Sequence, residues 1–285
     1  MKGLKRKSPG EKILYCVISA LFMIIALSYL YILVWTAISS MKTHSEIVMN
    51  PFSLPKEWQF KNYLQMIDLF EVNGNGFFSM VFNSIWFSVA GCILTQAVTV
   101  TLAYVCSKYI FPGSKIISTI VLIVITLPIY GNGGAMYSLC YRLGLVDSYA
   151  FIITGMTAFN MWFLYYTAYF KNISFTYIEA ALMDGADDIQ IYTRVMLPQA
   201  KPIITACFLT TWLGNWNGYA DALVYLPNLP TLPVGIYQFN IEMVYRARLD
   251  ILFAACVVAS IPALVLFIAF NKVLTESVSV GGIKG

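Results

Sequence analysis

Charged residues are scarce in this chain. Lys, Arg, Asp and Glu make up 11% of its 285 residues, whereas soluble domains average about 25%. Hydrophobic residues account for 59%, and the mean hydropathy is +0.72. A composition this apolar excludes an ordinary soluble domain and predicts an all-α membrane protein. We interpret residues 1–285 as a single transmembrane domain, without a nucleic-acid partner.

Residues that bind metals or act as catalysts are also few. His44 is the only histidine, and no Cys or carboxylate cluster lies near it at ligand spacing, so we expect no metal site. The six cysteines form no C-x-x-C pair and are interpreted as small buried hydrophobes. There is no H-E-x-x-H motif, no Ser/His pairing and no pair of aspartates within the apolar runs, which disfavours an intramembrane enzyme.

A nucleotide-binding loop is absent as well. The chain contains no G-x-x-x-x-G-K-[ST] sequence. The glycine-rich residues 131–134 lack the lysine of such a loop and are interpreted as a turn. We therefore expect that this chain is not an enzyme and binds no cofactor itself.

Six apolar runs approach or exceed the length of about 20 residues that crosses a bilayer. They cover approximately residues 13–38, 81–106, 116–139, 149–170, 203–226 and 251–270. The first run is too long for a signal peptide, so we expect it to be retained. Six spans place both termini on one side, and the basic residues favour the cytoplasm for that side by twelve to six. The chain is thus predicted to be a multi-pass protein of the plasma or inner membrane.

Polar and small residues follow one face of the predicted fifth span. Thr210, Gly214, Asn217, Gly218 and Asp221 recur at helical spacing. The two glycines form G-x-x-x-G, which predicts a close approach of another helix. An amide and a carboxylate inside a membrane are expected to face the bundle interior or a wet cavity. Two interpretations stay open at this point, a polar solute path and hydrogen bonding between helices.

Two further residues flank this face, Asn215 and Trp216. Aromatic rings stack well on the CH-rich faces of sugar rings, which would suit a carbohydrate path. A single tryptophan near the middle of a span is more often a packing residue. Both interpretations of Trp216 therefore remain open.

Acidic residues concentrate between the predicted fourth and fifth spans. Residues 171–201 contain four of the fourteen acids, namely Glu179, Asp184, Asp187 and Asp188. Several of them stand at predicted helix starts, where the helix dipole favours negative charge. The segment is therefore predicted to form short helices on the cytoplasmic side.

The sequence of this segment predicts a helix, a glycine break, a second helix and a stop. Thr176 and Glu179 match a capping box at the start of the first helix. Gly185 stands where a left-handed residue would end that helix. Asp187 is predicted to cap the second helix together with a glutamine at N3. Pro198 is predicted to end it.

The same segment resembles the EAA loop of ABC importer permeases, whose pattern is E-A-A-x3-G-x9-I-x-L-P. The residues that match are Glu179, Ala180, Ala181, Gly185, Leu197 and Pro198, with Val195 in place of the Ile. One departure precedes the core of the motif. Residues 173–176 read Ile-Ser-Phe-Thr, where family members usually carry Ile-Pro-x-Glu, so the geometry of the first short helix is in question.

Other features resemble the carbohydrate-uptake branch of these permeases, of the MalG-like type. They are the Asp184-Gly185-Ala186 form of the loop, the Asn215-Trp216-Asn217 run and the C-terminal tail with Gly281, Gly282 and Lys284. The resemblance covers nearly the whole chain, since six spans is also the count in that branch. Short coupling helices in the loop between the fourth and fifth spans are part of the fold that it implies.

The resemblance implies one half of a heterodimeric pore in a binding-protein-dependent sugar importer. The partners implied are a second permease subunit, two ATPase subunits that bind ATP and Mg²⁺, and an extracytoplasmic solute-binding protein. The ATPase-coupling residues implied are Glu179, Ala180, Ala181, Asp184, Gly185, Ala186, Leu197 and Pro198, and the tail residues Gly281, Gly282 and Lys284 would contact the ATPase. The substrate path implied comprises Asn215, Trp216, Asn217 and Asp221.

Three alternatives remain from the sequence. An ABC permease for a non-sugar solute keeps the same fold and changes only the cargo. An ion-coupled carrier or a channel usually places several ionisable groups within its spans, and here Asp221 stands almost alone. No inverted repeat is evident between the two halves of the chain, which also disfavours a carrier.

Overall fold

The computed structural model describes residues 9–127 and 133–280, and helices dominate these ranges. The first half contains α1 Pro9–Ser39, α2 His44–Met49, α3 Lys61–Leu69, α4 Phe77–Ile85, α5 Gly91–Lys108, α6 Ser114–Thr126 and α7 Gly133–Arg142. The second half contains α8 Met161–Asn172, α9 Thr176–Met183, α10 Asp188–Gln190, α11 Leu197–Asn217, α12 Ala220–Tyr225, α13 Leu232–Tyr245 and α14 Leu249–Val280.

Four shorter elements complete the described chain. An antiparallel hairpin pairs β1 Glu71–Val72 with β2 Asn75–Gly76, with Glu71 opposite Gly76. Segments Trp86–Ala90 and Ile191–Met196 are π-helical, and Tyr149–Gly155 is a 3₁₀ helix. The first π segment joins α4 to α5 without a break, so the two helices form one long rod.

Three helices in the described ranges are long and apolar enough to cross a membrane. They are Gly10–Ser39, Phe77–Lys108 and Leu249–Phe270. These helices contain the predicted spans 13–38, 81–106 and 251–270. The predicted third span, 116–139, divides between α6 and α7, and its residues 128–132, with the first half of the predicted glycine turn, lie outside the described residues.

The predicted fourth span, 149–170, is not one continuous helix. The 3₁₀ helix ends at Gly155, residues 156–160 lack regular structure, and α8 begins at Met161. Hydroxyl groups of α5 donate hydrogen bonds to backbone carbonyl groups at this break, where the hydrogen bonds of a continuous helix are missing. Thr95 Oγ1 donates to Gly155 O at 2.7 Å, and Thr99 Oγ1 donates to Thr157 O at 3.2 Å. Non-helical backbone inside a membrane protein needs such partners.

The predicted fifth span, 203–226, is also interrupted. Helix α11 ends at Asn217, Gly218 is extended with ψ of 119°, and α12 begins at Ala220. The prediction that Thr210, Gly214, Asn217 and Asp221 share one helical face is therefore wrong for Asp221. A side chain at Gly218 would be crowded at this break, because a Cβ there would lie 3.2 Å from the Gly214 carbonyl oxygen.

The described residues divide into two compact units. The first unit comprises the residues up to Leu69 together with Phe239–Ser260, and the second comprises Phe70–Gln238 and the residues from Ile261. In the first unit, α1 exposes its apolar side chains along its length, Cys16 among them, as expected of a helix that faces lipid.

A buried lysine organises the loop that follows α1 in the first unit. Lys42 is fully buried, and its ammonium donates to the carbonyls of Asn50 and Pro51 at 3.1 and 3.0 Å. Trp35 Nε1 donates to the same Pro51 carbonyl at 2.8 Å. His44, considered above as an isolated ligand candidate, accepts the Leu249 backbone N–H. These bonds satisfy polar groups that would be costly to bury alone.

The core of the second unit lies where α5, α8 and α11 meet. Phe163, Tyr166 and Phe170 recur along one face of α8 and are fully buried. Apolar burial alone gives little preference for helix contact within lipid, so polar contacts between helices matter more there. Here Tyr166 donates to Gln96 Oε1, and Gln96 Nε2 donates to Thr211 Oγ1 at 2.8 Å.

Gly235 leaves no room for a side chain, which gives a direct test of packing in the second unit. A Cβ atom at this position would lie 2.6 Å from Met80 Sδ and 2.7 Å from Phe70 Cε1. Both side chains are buried and have little freedom to move. We expect Gly235→Ala to destabilise the protein by about 1–3 kcal/mol, as overpacking does. Thermal unfolding in detergent measures this.

The matched control is Gly214→Ala, where no atom lies within 4 Å of the added Cβ. We expect this change to leave the unfolding temperature the same or raise it, since alanine favours a helix by about 1 kcal/mol over glycine. An equal loss of stability in both variants would contradict the packing described for Gly235.

Candidate functional site

The EAA loop, residues 172–201, begins with α9, whose start differs from the prediction. The N-cap is Phe175, and no side chain caps the helix. Ser174 Oγ instead accepts the backbone N–H of Thr176 at 3.3 Å, and the two hydroxyls are 2.9 Å apart. The predicted capping box of Thr176 and Glu179 is wrong because the chain is already helical at Phe175, with φ −65° and ψ −21°.

Gly185 ends α9 as the sequence predicted. Its φ is +79°, a left-handed conformation that favours glycine. Gly185 N–H donates to Leu182 O at 3.0 Å, and Ala186 N–H donates to Ala181 O at 3.0 Å. These two bonds form a Schellman motif, which satisfies carbonyls at the end of the helix. The glycine therefore fixes the direction in which the chain leaves α9.

Asp187 caps the next helix, which also confirms its prediction. Its Oδ1 accepts the N–H of Gln190 at 2.7 Å, while Gln190 Oε1 accepts the N–H of Asp187 at 3.3 Å. The reciprocal pair is a capping box. It leads into a helix that is continuous from Asp188 to Asn217 through the second π segment.

The two caps predict different mutational effects. We expect Asp187→Ala to destabilise the start of α10 by about 1 kcal/mol, because the N–H of Gln190 loses its acceptor. Hydrogen exchange at that amide, measured by mass spectrometry, is expected to accelerate about fivefold. Thr176→Ala is the control, and it should leave exchange in α9 unchanged. Faster exchange in α9 of the Thr176→Ala variant would show that Thr176 does cap that helix.

Pro198 does not stop a helix, in contrast to the prediction. It lies in the first turn of α11, directly after the π segment Ile191–Met196. Leu197 N–H donates to Tyr192 O, five residues earlier, as in a π turn. Pro198, which has no backbone N–H, thus lies where the α-helical hydrogen-bonding pattern restarts. Such a position tolerates proline.

The surface of the EAA loop is apolar as well as acidic. Met183 is 88% exposed and Ile189 is 74% exposed. Glu179, Ala180 and Asp184 are exposed too, while Ala181, Ala186 and Leu197 are half-buried against the core around Ile178. Large apolar side chains projecting into solvent beside acidic groups are typical of a surface that contacts another protein.

Three polar contacts attach the EAA loop to the end of α5. Lys108 Nζ donates to Ile173 O, and Tyr109 Oη donates to Asp188 Oδ1 at 2.9 Å. The hydroxyls of Thr101 and Tyr192 are 2.8 Å apart. Burial, together with the hydrogen bond to Asp188, raises the pKa of Tyr109 well above its usual range, so it stays a donor at neutral pH. The loop and α5 are thus fastened together.

A cavity of about 780 Å³ lies in the second unit. Its lining includes Gly91 and Thr95 of α5, Thr154 and Gly155 of the 3₁₀ helix, and residues from the end of α11 and from α12. The volume is within the range of small-molecule sites, about 300–1,000 Å³. The two interrupted segments that were predicted as the fourth and fifth spans therefore contribute to one cavity, as broken helices do in transporters.

Three of the four predicted path residues line this cavity, namely Asn215, Asn217 and Asp221. Asn217 Nδ2 donates to Leu213 O at 2.9 Å within its own helix. Trp216 is buried and stacks on Trp212 with ring centroids 5.2 Å apart, so it is a packing residue in this structure. Gly214 and Gly218 also line the cavity, and no atom lies within 4 Å of a Cβ at Gly214, so the predicted close helix contact is absent there.

The sequence did not identify the contribution of the predicted second and fourth spans to this cavity. Thr95, Thr154, Gly155 and the buried Thr231 line it. Their side chains are small and carry no charge, so they give no signal of a site when taken singly. Gly155 followed by Thr157 and Asn160 within one apolar run was the available sign of a broken helix. The C-terminal residues Gly281, Gly282 and Lys284 lie outside the described residues.

Comparison with protein families connects this arrangement to transport. The model of the family described as binding-protein-dependent transport system inner membrane component matches residues 100–280. The matched region includes the second half of α5, the whole EAA loop and α11, together with the Asn215–Asp221 side of the cavity.

Individual relatives cover nearly the whole chain. The diacetylchitobiose uptake system permease protein NgcG of Streptomyces coelicolor is 31% identical, over 87% of this chain and 82% of that protein. The arabinooligosaccharides transport system permease protein AraQ of Bacillus subtilis is 27% identical, over 98% of this chain and 99% of that protein. A chain of the crystal structure of a bacterial ABC transporter involved in the import of alginate has the same fold. It matches with a TM-score of 0.77 and 24% identity, over 94% of this chain and 99% of that chain.

Proposed function

The chain belongs to the family of binding-protein-dependent transport system inner membrane components, and from this premise we propose that it is a permease subunit of an ATP-driven importer for a sugar or oligosaccharide. It is a multi-pass membrane protein. It would form one half of a translocation pathway with a second permease subunit. The alternatives of an ion-coupled carrier and a channel have no support from the family match.

One observation supports the coupling role most directly, a helical connection between the EAA loop and the cavity. Asp188 begins a helix that continues to Asn217, and Asn215 and Asn217 line the cavity at its far end. From Leu197 to Asn215 this helix covers about 27 Å at 1.5 Å per residue. A displacement of the loop would be carried along the helix to the cavity.

A second helix runs between the same two places. Helix α5 holds the EAA loop through Lys108 and Thr101, and it lines the cavity with Gly91 and Thr95. Thr95 and Lys108 are about 20 Å apart along the helix axis. Two helices that both connect the EAA loop to the cavity would resist bending better than one helix. A displacement of the loop would therefore move the parts of both helices that line the cavity together.

We assign the energy source to a separate ATPase subunit that binds ATP and Mg²⁺. The exposed surface of α9 and α10, with Glu179, Met183, Asp184 and Ile189, is the proposed contact for that ATPase. Apolar side chains there would be buried on docking, and the acidic groups would select a basic rim on the partner. Gly281, Gly282 and Lys284 of the tail are proposed to touch the same subunit.

The proposed topology keeps six spans with both termini in the cytoplasm. The excess of basic residues on the side of the N-terminus supports this orientation, which places the acid-rich EAA loop on the same side. An extracytoplasmic binding protein would deliver the solute to the opposite face. The cargo is proposed from the relatives named for diacetylchitobiose and arabinooligosaccharide transport.

Reconstitution tests this function. The chain is co-produced with its second permease subunit, its ATPase and its binding protein, and the complex is placed in proteoliposomes. Uptake of radiolabelled diacetylchitobiose or arabinobiose is expected to require ATP on the ATPase side and to stop with ADP. Uptake by this chain alone, or uptake driven by an ion gradient without ATP, would support the carrier or channel alternatives instead.

A further inference from the structure

The cavity of the second unit has an unbalanced charge. Among the described residues that line it, Asp221 is the only one with a charged side chain, and no lysine or arginine is present. No ion pair or hydrogen bond to the Asp221 carboxylate occurs among the described residues. The wall of the cavity thus presents one negative charge that no neighbouring cation offsets.

Another carboxylate of the same unit provides a contrast. Asp147 accepts the backbone N–H of Asn228 at 2.7 Å and the side-chain amide of Asn228 at 3.0 Å. It does not belong to the cavity lining. Asp147 therefore has a structural function in joining two connecting segments, a function that Asp221 lacks.

The remaining polar groups of the cavity are neutral, and one that is buried lacks a partner. Thr231 is 95% buried, and its hydroxyl has no hydrogen-bond partner among the described residues. The side-chain amide of Asn215 is exposed to the cavity and makes no hydrogen bond within the part of the chain described. Unpaired buried polar groups are costly unless a ligand or water satisfies them. The Thr231 hydroxyl can bind either an amide or a hydroxyl group of a solute, because a hydroxyl both donates and accepts hydrogen bonds.

We propose that this cavity selects its solute by charge: it accepts uncharged carbohydrate and repels carbohydrate that carries carboxylate or phosphate groups. The inference rests on the proposed function and adds the chemical class of the solute. A single charge acts strongly in a cleft with low-dielectric walls, because the field is focused there and screened less than in open water. The alginate importer shares the fold but handles an acidic polysaccharide, so the fold by itself does not set this preference.

The test measures the electrostatic potential of the cavity directly. Gly214 lines the cavity, and an added Cβ there would have no atom within 4 Å, so Gly214→Cys is chosen to place a thiol at the cavity wall. In the complete importer, its reaction rates are measured with a cationic trimethylammonium-ethyl and an anionic sulfonato-ethyl methanethiosulfonate. Each rate is divided by that of a small free thiol. The same complex without Gly214→Cys gives the background of the native cysteines.

We expect the cationic reagent to react about tenfold faster than the anionic one, consistent with the lower end of focusing effects in clefts. Adding Asp221→Asn should bring this ratio close to one, whereas adding the control Asp147→Asn should leave it unchanged. The proposal is overturned if the ratio of the cationic to the anionic rate does not change in Asp221→Asn, or if neither reagent reacts with the thiol. Sugar uptake by the wild type is measured separately. A failure of charge selection is thereby distinguished from a failure of the importer function.

Discussion

Replacing Gly185 with proline is expected to reduce ATP-driven uptake at least tenfold while the chain remains in the membrane. Gly185 has a φ of +79°, and its N–H donates to Leu182 O. Proline holds φ near −65° and has no N–H, so the variant loses both the turn and the hydrogen bond. The chain would leave α9 in another direction, and the surface formed by α9 and α10 would no longer exist in its present shape.

Gly144 provides a matched control for this variant. It also has a left-handed conformation, with φ +67°, and a Schellman-type pair of bonds, Gly144 N–H to Tyr141 O and Leu145 N–H to Cys140 O. At both glycines, an added Cβ would have no atom within 4 Å. We expect Gly144→Pro to cost similar stability but to keep more ATPase bound than Gly185→Pro does. Gly185→Asn should retain partial uptake, since asparagine tolerates this conformation.

Replacing Met183 with glutamate is expected to separate the ATPase from the complex. Met183 is 88% exposed and belongs to the apolar surface of α9 that we assign to ATPase contact. Burying an added charge in such a contact is unfavourable by several kcal/mol. We expect at least a tenfold loss of the ATPase that co-purifies with an affinity-tagged chain, measured by quantitative mass spectrometry.

Met49 is the control, because it is 79% exposed in α2 of the first unit, far from the EAA loop in sequence. Met49→Glu adds the same charge to an equally open position and should leave the bound ATPase unchanged. If both variants lose the ATPase, the effect is a general one of charge on assembly. If neither does, α9 is not the ATPase contact.

Local signals in the sequence were sufficient for part of the EAA loop. The conformation of Gly185 and the capping box at Asp187 depend on residues within five positions of each other, and both were predicted correctly. The capping box at Thr176 failed although its pattern was equally good. There the helix starts one residue earlier, and Ser174 accepts the Thr176 N–H that the Glu179 side chain was expected to cap. Competition between neighbouring hydroxyl groups is not visible in a four-residue pattern.

The cavity was harder to predict because long-range contacts form it. The breaks at residues 156–160 and at Gly218 interrupt two runs that are apolar enough to suggest continuous helices. Thr95 and Thr99 sustain the first break from about 60 residues away in the chain. The resemblance of the Asn215-Trp216-Asn217 run to the family predicted three residues of a substrate path. Asn215 and Asn217 line the cavity, whereas Trp216 stacks on Trp212 and is a packing residue.

In the mechanism that we propose, the EAA loop transmits ATP-driven motion to the cavity of this chain. The most direct measurement is the reaction rate of Gly214→Cys with a small neutral thiol reagent in the reconstituted importer, with and without ATP. We expect ATP to change this rate several-fold when Gly185 is present and to have no effect in the Gly185→Pro variant. The same ATP-dependent change in both proteins would contradict the claim, and so would a rate that ATP leaves unchanged in the protein with Gly185.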